Sequence, residues 1–548
     1  MSDHMAAGKR VSYTVKRHLA LVSLLILTAC GPATPSPGLS PSATPSPSPT
    51  STELPSPEST PSPSPAPSAT AVPTAITTRT PVTPAPDFAQ ALRTPFREDE
   101  RQFPNATRYD LELTVDMEEA TVTGHEEISY TNTEDVSLNA LYLRLFPNTP
   151  GYGGAMTVTY LTLEGQVVQP IEELEGSALR IPLEPPLSPE ARVGLALDFT
   201  LALPSNGDPT SSQAPAGGYR QLGTYEGVVA LANAYPLVPA YDDEGWNVEL
   251  APSYGDAVYS DVAFFEVHIS APATMRLFAS GPCRSSTSDA GTASWSCIAA
   301  PMRDFNAILG EDYQVKSRDV RGTTVNSVFY AEHDEGGSRA LDYASQAVRL
   351  FDRRIGPYPF TELDVVETPT LAGGIEYPGL VVINSSYHGA EGGRMEWVVV
   401  HEVLHQWWYS LVGNDQVDDP WLDEALVQYC TLLYFEEQYG HDVAETLLES
   451  VFQQPYEELR GSERDKPVGL PVAAYNSRDY GVVVYQKGPL YFHALRQVVG
   501  EEAFWEILQT YFERNRYRIA TPEDWLAAVD AVSGEQHQSL YKAWISGE

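Results

Sequence analysis

The stretch His401-Glu402-Val403-Leu404-His405 sets two imidazoles four residues apart. On a helix that spacing puts both on one face, about one turn (~6 Å of rise) from each other. Two imidazoles so placed can grip one metal ion. Zinc takes four ligands, and a catalytic zinc keeps one position for water. The pattern therefore needs one more protein ligand, and Glu424 is the candidate. Glu402 points to an adjacent side of the helix, where it can take a proton from that water. A bare His-Glu-x-x-His also fits a helix with two surface histidines and no metal, so its surroundings decide.

The elements around it must position these groups. Ser338–Ile355 carries Ala340, Ala344, Ala347, Val348 and Phe351 near a 3.6 period and predicts a helix, stopped by Gly356-Pro-Tyr-Pro-Phe. Leu363–Glu367 and Gly379–Ile383 predict strands, with Gly373-Gly374-Ile375-Glu376-Tyr377 between them. Asp419 and Pro420 form an N-cap and first-turn pair, opening a helix to about Tyr439 that Gly440 ends. Glu424 falls in its first turns. Helical periodicity dominates to the C-terminus, including 503–515 and 522–532.

Residues 88–313 read differently. Short runs alternate with period two: Arg108–Met117, Ala120–Tyr130, Ala140–Phe146, Val193–Phe199, Phe264–Ser270 and Met275–Ser280. Many short strands at this spacing predict a β-sandwich or saddle-like sheet. A further strand, Gly322–Tyr330, leads into the next unit. The fold class expected is α+β multidomain, a β-sandwich or saddle-like domain followed by a mainly helical unit.

With 548 residues the chain is too long for one core. Its formal charge of -39 excludes nucleic acid as a partner, because a phosphate backbone would be repelled. Lys9, Arg10, Lys16 and Arg17 precede an apolar run, Leu19–Ala29, that is too short for a comfortable membrane span and reads as an export signal. It ends in Leu27-Thr28-Ala29-Cys30, which resembles a bacterial lipobox and implies lipidation of Cys30. The Pro/Ser/Thr/Ala repeats that follow cannot bury enough apolar surface to offset chain entropy. Fully extended, at ~3.1 Å per residue, they would reach roughly 170 Å, a stalk. Cys283 and Cys297 bracket a short Ser/Gly-rich stretch and are expected to close a disulfide in an oxidising compartment. Cys430 reads as a buried small hydrophobe.

Glu424 sits in Trp421-Leu-Asp-Glu-Ala425, Gly373-Gly-Ile-Glu376 lies upstream, and Tyr480 and Tyr485-Gln-Lys-Gly-Pro489 lie downstream. Together with Tyr241–Trp246, Asp256–Pro272, Arg303-Asp-Phe305 and Gly356–Phe360, these resemble the aminopeptidase N family of gluzincin zinc metallopeptidases, from about Phe103 onward. The resemblance implies one zinc held by His401, His405 and Glu424, with Glu402 as general base. It implies that Tyr485 stabilises the oxyanion, with Tyr480 as a supporting hydroxyl. Glu376 would hold the substrate's α-amino group, while Gly373 and Gly374 let backbone approach the substrate. Asp423 would tune a ligand or cap a helix. Departures stand at Ile375 and Tyr377, where the family has Met and Asn, and at Asp423 and Ala425. Asn233 lies near the region of the family's second amine-binding residue.

The resulting expectation is a lipid-anchored zinc aminopeptidase, a short form lacking the family's C-terminal helical domain. It would act outside the cytoplasmic membrane on peptides with a free N-terminus. The expected organisation is a signal peptide (1–30), a disordered linker (31–87), a β domain (88–335) and a catalytic domain (336–548). An endopeptidase with an open cleft and a non-catalytic surface binding protein stay open as alternatives.

Overall fold

The computed structural model describes residues 86–205, 219–287, 291–390, 393–534 and 537–547. The leader, Cys30 and the repeats through residue 85 lie outside the described residues.

Alternation builds the first half. Along Arg108–Asp116, Leu111, Leu113 and Val115 turn inward while Glu112 and Thr114 face water, the period-two signature of a half-buried strand. This strand lies inside an eight-stranded sheet, pairing antiparallel with Thr121–Thr131 and parallel with Ala263–Pro272. Arg192–Ala202, Ala155–Leu163 and Gln166–Val167 extend one side. Thr292–Met302 and Cys283–Thr287 extend the other. Three- and four-stranded sheets, built around Ala178–Leu187 and Ala307–Gly310, share one apolar core with it. On the outermost pair Cys283 stands directly opposite Cys297, and the two are joined as a disulfide. Cys430 is buried as a free thiol.

The second half is a five-stranded sheet covered by helices. Its order is Tyr313–Val320, Thr323–Tyr330, Glu362–Thr368, Leu380–Asn384 and Gly374–Ile375. The first two strands precede the boundary expected at residue 335, yet they hydrogen-bond into this sheet. The helix Asp334–Arg354 crosses between Thr323–Tyr330 and its parallel neighbour Glu362–Thr368, as a parallel connection requires. It packs against Arg394–Leu404, which in turn packs against Leu426–Tyr439. The β-rich first half and the helical second half thus match the α+β expectation. Among the described residues, no helix is long and apolar enough to cross a membrane.

Candidate active site

The helix Arg394–Leu404 is buried from Met395 to Leu404, with Trp397, Val399, Val400 and Val403 in the core. His401 lies in its last turn, and His405 forms its C-cap, one residue past the helix. The two Nε2 atoms face each other at 3.3 Å. Nδ1 of His405 meets the carbonyl of Trp408 at 3.1 Å. That contact assigns the proton to Nδ1 and leaves Nε2 as the electron-pair donor.

Glu424 arrives from the following segment. Here the helix does not begin on an Asp419 cap as expected. Asp419 instead accepts the indole N–H of Trp421 at 3.2 Å, and residues Trp421–Ala425 wind as a wide π turn before the α-helix Leu426–Tyr439. Asp423 has both oxygens engaged, one by the backbone N–H of Glu424 at 2.7 Å and one by Gln416 at 3.0 Å. It therefore fixes the turn that carries the ligand. Oε2 of Glu424 stands 3.4 Å from Nε2 of His401 and 3.6 Å from Nε2 of His405.

These separations test the metal. Ligands ~2.0–2.1 Å from a tetrahedral zinc stand about 3.3–3.4 Å apart, close to the edges seen. Neither oxygen of Glu424 has a hydrogen-bond partner, and both are buried. A buried carboxylate without donors, between two imidazole nitrogens, calls for a cation. The residues fit zinc.

Glu402 is fully buried, with no hydrogen-bond partner on either oxygen. Burial, reinforced by the charge of Glu376, lifts its carboxyl well above the usual range. Glu376 follows the edge strand Gly374–Ile375 and is 4% exposed. Burial and the charge of Glu424 push it up to about 8. Gly373 accepts the backbone N–H of Asn384 at 3.0 Å. Gly374 lies against Glu402: a Cβ there would stand 2.3 Å from its Oε1. Tyr485 sits in a second π turn, Val483–Lys487, its ring 6.3 Å from that of His401. Tyr480 packs edge-on to Tyr485 at 5.6 Å.

The fold thus gathers the expected metal-ligand, carboxylate, glycine and tyrosine positions around one centre. Asn233 is the exception in role. It is fully buried, its side chain accepting from Tyr152 at 2.8 Å and reaching Asp304 at 3.4 Å. Its amide is committed to that network. One group escaped the sequence reading: Asp256 places a carboxylate oxygen within 4.8 Å of Glu376 and Glu424. It lies in an aperiodic loop, and only the adjacent Gly255 hints at a special position.

A two-histidine, one-glutamate centre on a helical unit beside a mixed sheet defines the gluzincin class of zinc peptidases. Residues 339–544 match the family model "Peptidase family M1 domain". His401, His405 and Glu424 fall within that match, and the region is similar to this family's domain. Aminopeptidase M1 of Arabidopsis thaliana is 28% identical over 222 residues, 38% of this chain and 25% of that protein. Aminopeptidase N of Lactococcus lactis is 26% identical over 258 residues, covering 44% and 30%. The chain thus spans 25–30% of the length of these curated relatives. In fold, an M1 zinc metallopeptidase from Deinococcus radiodurans superposes with a TM-score of 0.61 at 21% identity, covering 80% of this chain and 93% of that one.

Proposed function

We propose that this protein is a zinc aminopeptidase that removes N-terminal residues from peptides outside the cell. The observation that carries the reading is the arrangement of Glu376, Glu402 and the His401–His405–Glu424 centre in one buried site. When bound, zinc polarises the scissile carbonyl and acidifies the attacking water. Glu402 takes the proton from that water and returns it to the leaving amine. The Tyr485 hydroxyl donates to the carbonyl oxygen as negative charge develops there. Glu376 pairs with the free α-ammonium and so registers the first peptide bond against the base.

Export and anchoring through a lipid on Cys30 belong to the same proposal. The charged leader, the apolar run and Leu27-Thr28-Ala29-Cys30 support it. The Cys283–Cys297 disulfide suits an oxidising compartment. The repeats would hold the enzyme away from the membrane.

A panel of aminoacyl reporters, free and N-acetylated, with and without a chelator, tests the activity. Hydrolysis of free-amine reporters alone, abolished by chelator and restored by zinc, is expected. Equal rates on acetylated and free peptides would overturn the exopeptidase assignment in favour of an endopeptidase. Stoichiometric zinc without hydrolysis of any reporter would leave a binding protein. Palmitate labelling that persists in Cys30→Ser would overturn the anchor.

A further inference from the structure

Gln406 directly follows His405 and is fully buried. Its carboxamide spends both ends on one short stretch of another element. The N–H of Gly379 donates to Oε1 at 2.8 Å, and Nε2 donates to the carbonyl of Tyr377 at 3.1 Å. The Tyr358 hydroxyl adds a longer contact to Oε1 at 3.4 Å. A carboxamide carries an acceptor and a donor side by side, so it can bond a backbone as a neighbouring strand would.

The stretch it grips is a rigid turn. The N–H of Leu380 donates to the carbonyl of Tyr377 at 3.0 Å. Pro378 fixes φ at the second position, and Gly379 takes φ +72° at the third. These are the marks of a type II turn. Glu376 is the residue just before it. Ile375, one residue earlier, closes an edge strand of two residues, paired on one side with Leu380–Asn384. So short a strand gives the glutamate little hold of its own. The Gln406 fork ties the turn to the histidine segment, so a single buried carboxamide joins the residue after His405 to the residues after Glu376.

We propose that Gln406 is a positioning residue: its carboxamide sets the spacing between the zinc centre and Glu376, and so how well a substrate that must reach both is held. The proposal rests on the aminopeptidase reading above and assigns the distance that reading needs to a side chain outside the metal-ligand set.

The test uses the zinc-loaded full chain as wild type, Gln406→Met and Gln406→Asn. Methionine keeps the length and loses both hydrogen bonds, and asparagine keeps the amide one methylene short. Two hydroxamates are titrated by calorimetry: acetohydroxamate, which meets the metal alone, and L-alanine hydroxamate, which also carries an α-ammonium. Zinc per chain and kinetics on an alanyl-coumarin amide are read beside them. Gln406→Met is expected to weaken L-alanine hydroxamate about tenfold or more, to lower kcat/KM by a similar factor, and to leave acetohydroxamate within about twofold, with one zinc retained. Gln406→Asn should also weaken L-alanine hydroxamate selectively, and it carries the comparison if Gln406→Met melts early. Equal weakening of both hydroxamates, or loss of zinc, would overturn the proposal, because the carboxamide would then support the metal centre and not the spacing. So would affinities equal to those of the wild type. A wild type that cleaves no free-amine reporter would refute the aminopeptidase reading instead, and the ratio of the two hydroxamate affinities would still decide Gln406.

Discussion

Gly374 and Glu402 are packed so closely that a single added methyl would collide: a Cβ on Gly374 would lie 2.3–2.5 Å from Oε1, Cδ and Cγ of the glutamate. The glycine on the edge strand thus shapes the seat of the Glu402 carboxylate. Gly374→Ala should displace the Glu402 carboxylate and lower kcat on the order of a hundredfold, with zinc content unchanged. Steady-state kinetics beside metal analysis checks this, and wild-type kcat in the variant would refute it.

In the proposed mechanism Glu402 handles the reacting proton and does not ligate the metal. Glu402→Gln keeps the shape and removes the base. Turnover should fall by roughly 10²–10⁴-fold or more, while the protein still binds one zinc. Retained activity would show that another group accepts the proton.

Tyr485→Phe removes only the hydroxyl. Loss of one oxyanion donor costs about 10²–10³ in kcat, and KM should barely move because the interaction forms in the transition state. A change confined to KM would assign Tyr485 to ground-state binding.

Arg303 pins the two halves together from a buried position. Its guanidinium donates to the carbonyls of Tyr409 at 2.7 Å, Ser260 at 3.0 Å and Arg518 at 2.5 Å. Tyr409 is held there at φ +115°, a strained conformation for a bulky residue. Arg303→Ala leaves three acceptors unmet and should destabilise by roughly 3–5 kcal/mol. Arg303→Lys should recover little, because an ammonium lacks the planar fork. Denaturant melts decide between these outcomes.

His388 predicts an acid sensitivity. Burial lowers its proton affinity to about 3 from an ordinary 6.5. Between those values the unfolded chain binds a proton that the folded chain refuses, so stability is full above pH 6.5 and falls as the pH drops. The slope from this residue approaches about 1.4 kcal/mol per pH unit. Unfolding free energies at several pH values, in wild type and His388→Gln, should show a shallower fall in the variant. Parallel profiles would refute the assignment.

The sequence was legible where chemistry or periodicity is local. The strand Arg108–Asp116 could be read because alternation reports its two faces. The helix over 334–354 and the one ending at Gly440 could be read from apolar spacing and a glycine stop. The metal triad followed from helical spacing plus a family-like context. What could not be read depends on distant partners. Nothing in the sequence pairs residues 108–114 with 264–270 in parallel, or draws 313–330 into the second sheet. Asp419 looked like a cap until Trp421 claimed its carboxylate. Asp256 and Arg303 act across the seam between the halves, where neither period nor motif marks them.

Two of the four π turns among the described residues have an evolutionary reading. A π turn is an α-helix holding one extra residue, and here one carries Glu424 and the other Tyr485. Losing any single residue within either turn would restore an ordinary helix. It would also rotate the side chains beyond it by about 100° about the axis. The placement of Glu424 and Tyr485 therefore depends on the extra residue in each turn, and a one-codon deletion there would also carry the buried face of the following helix out of register with the core.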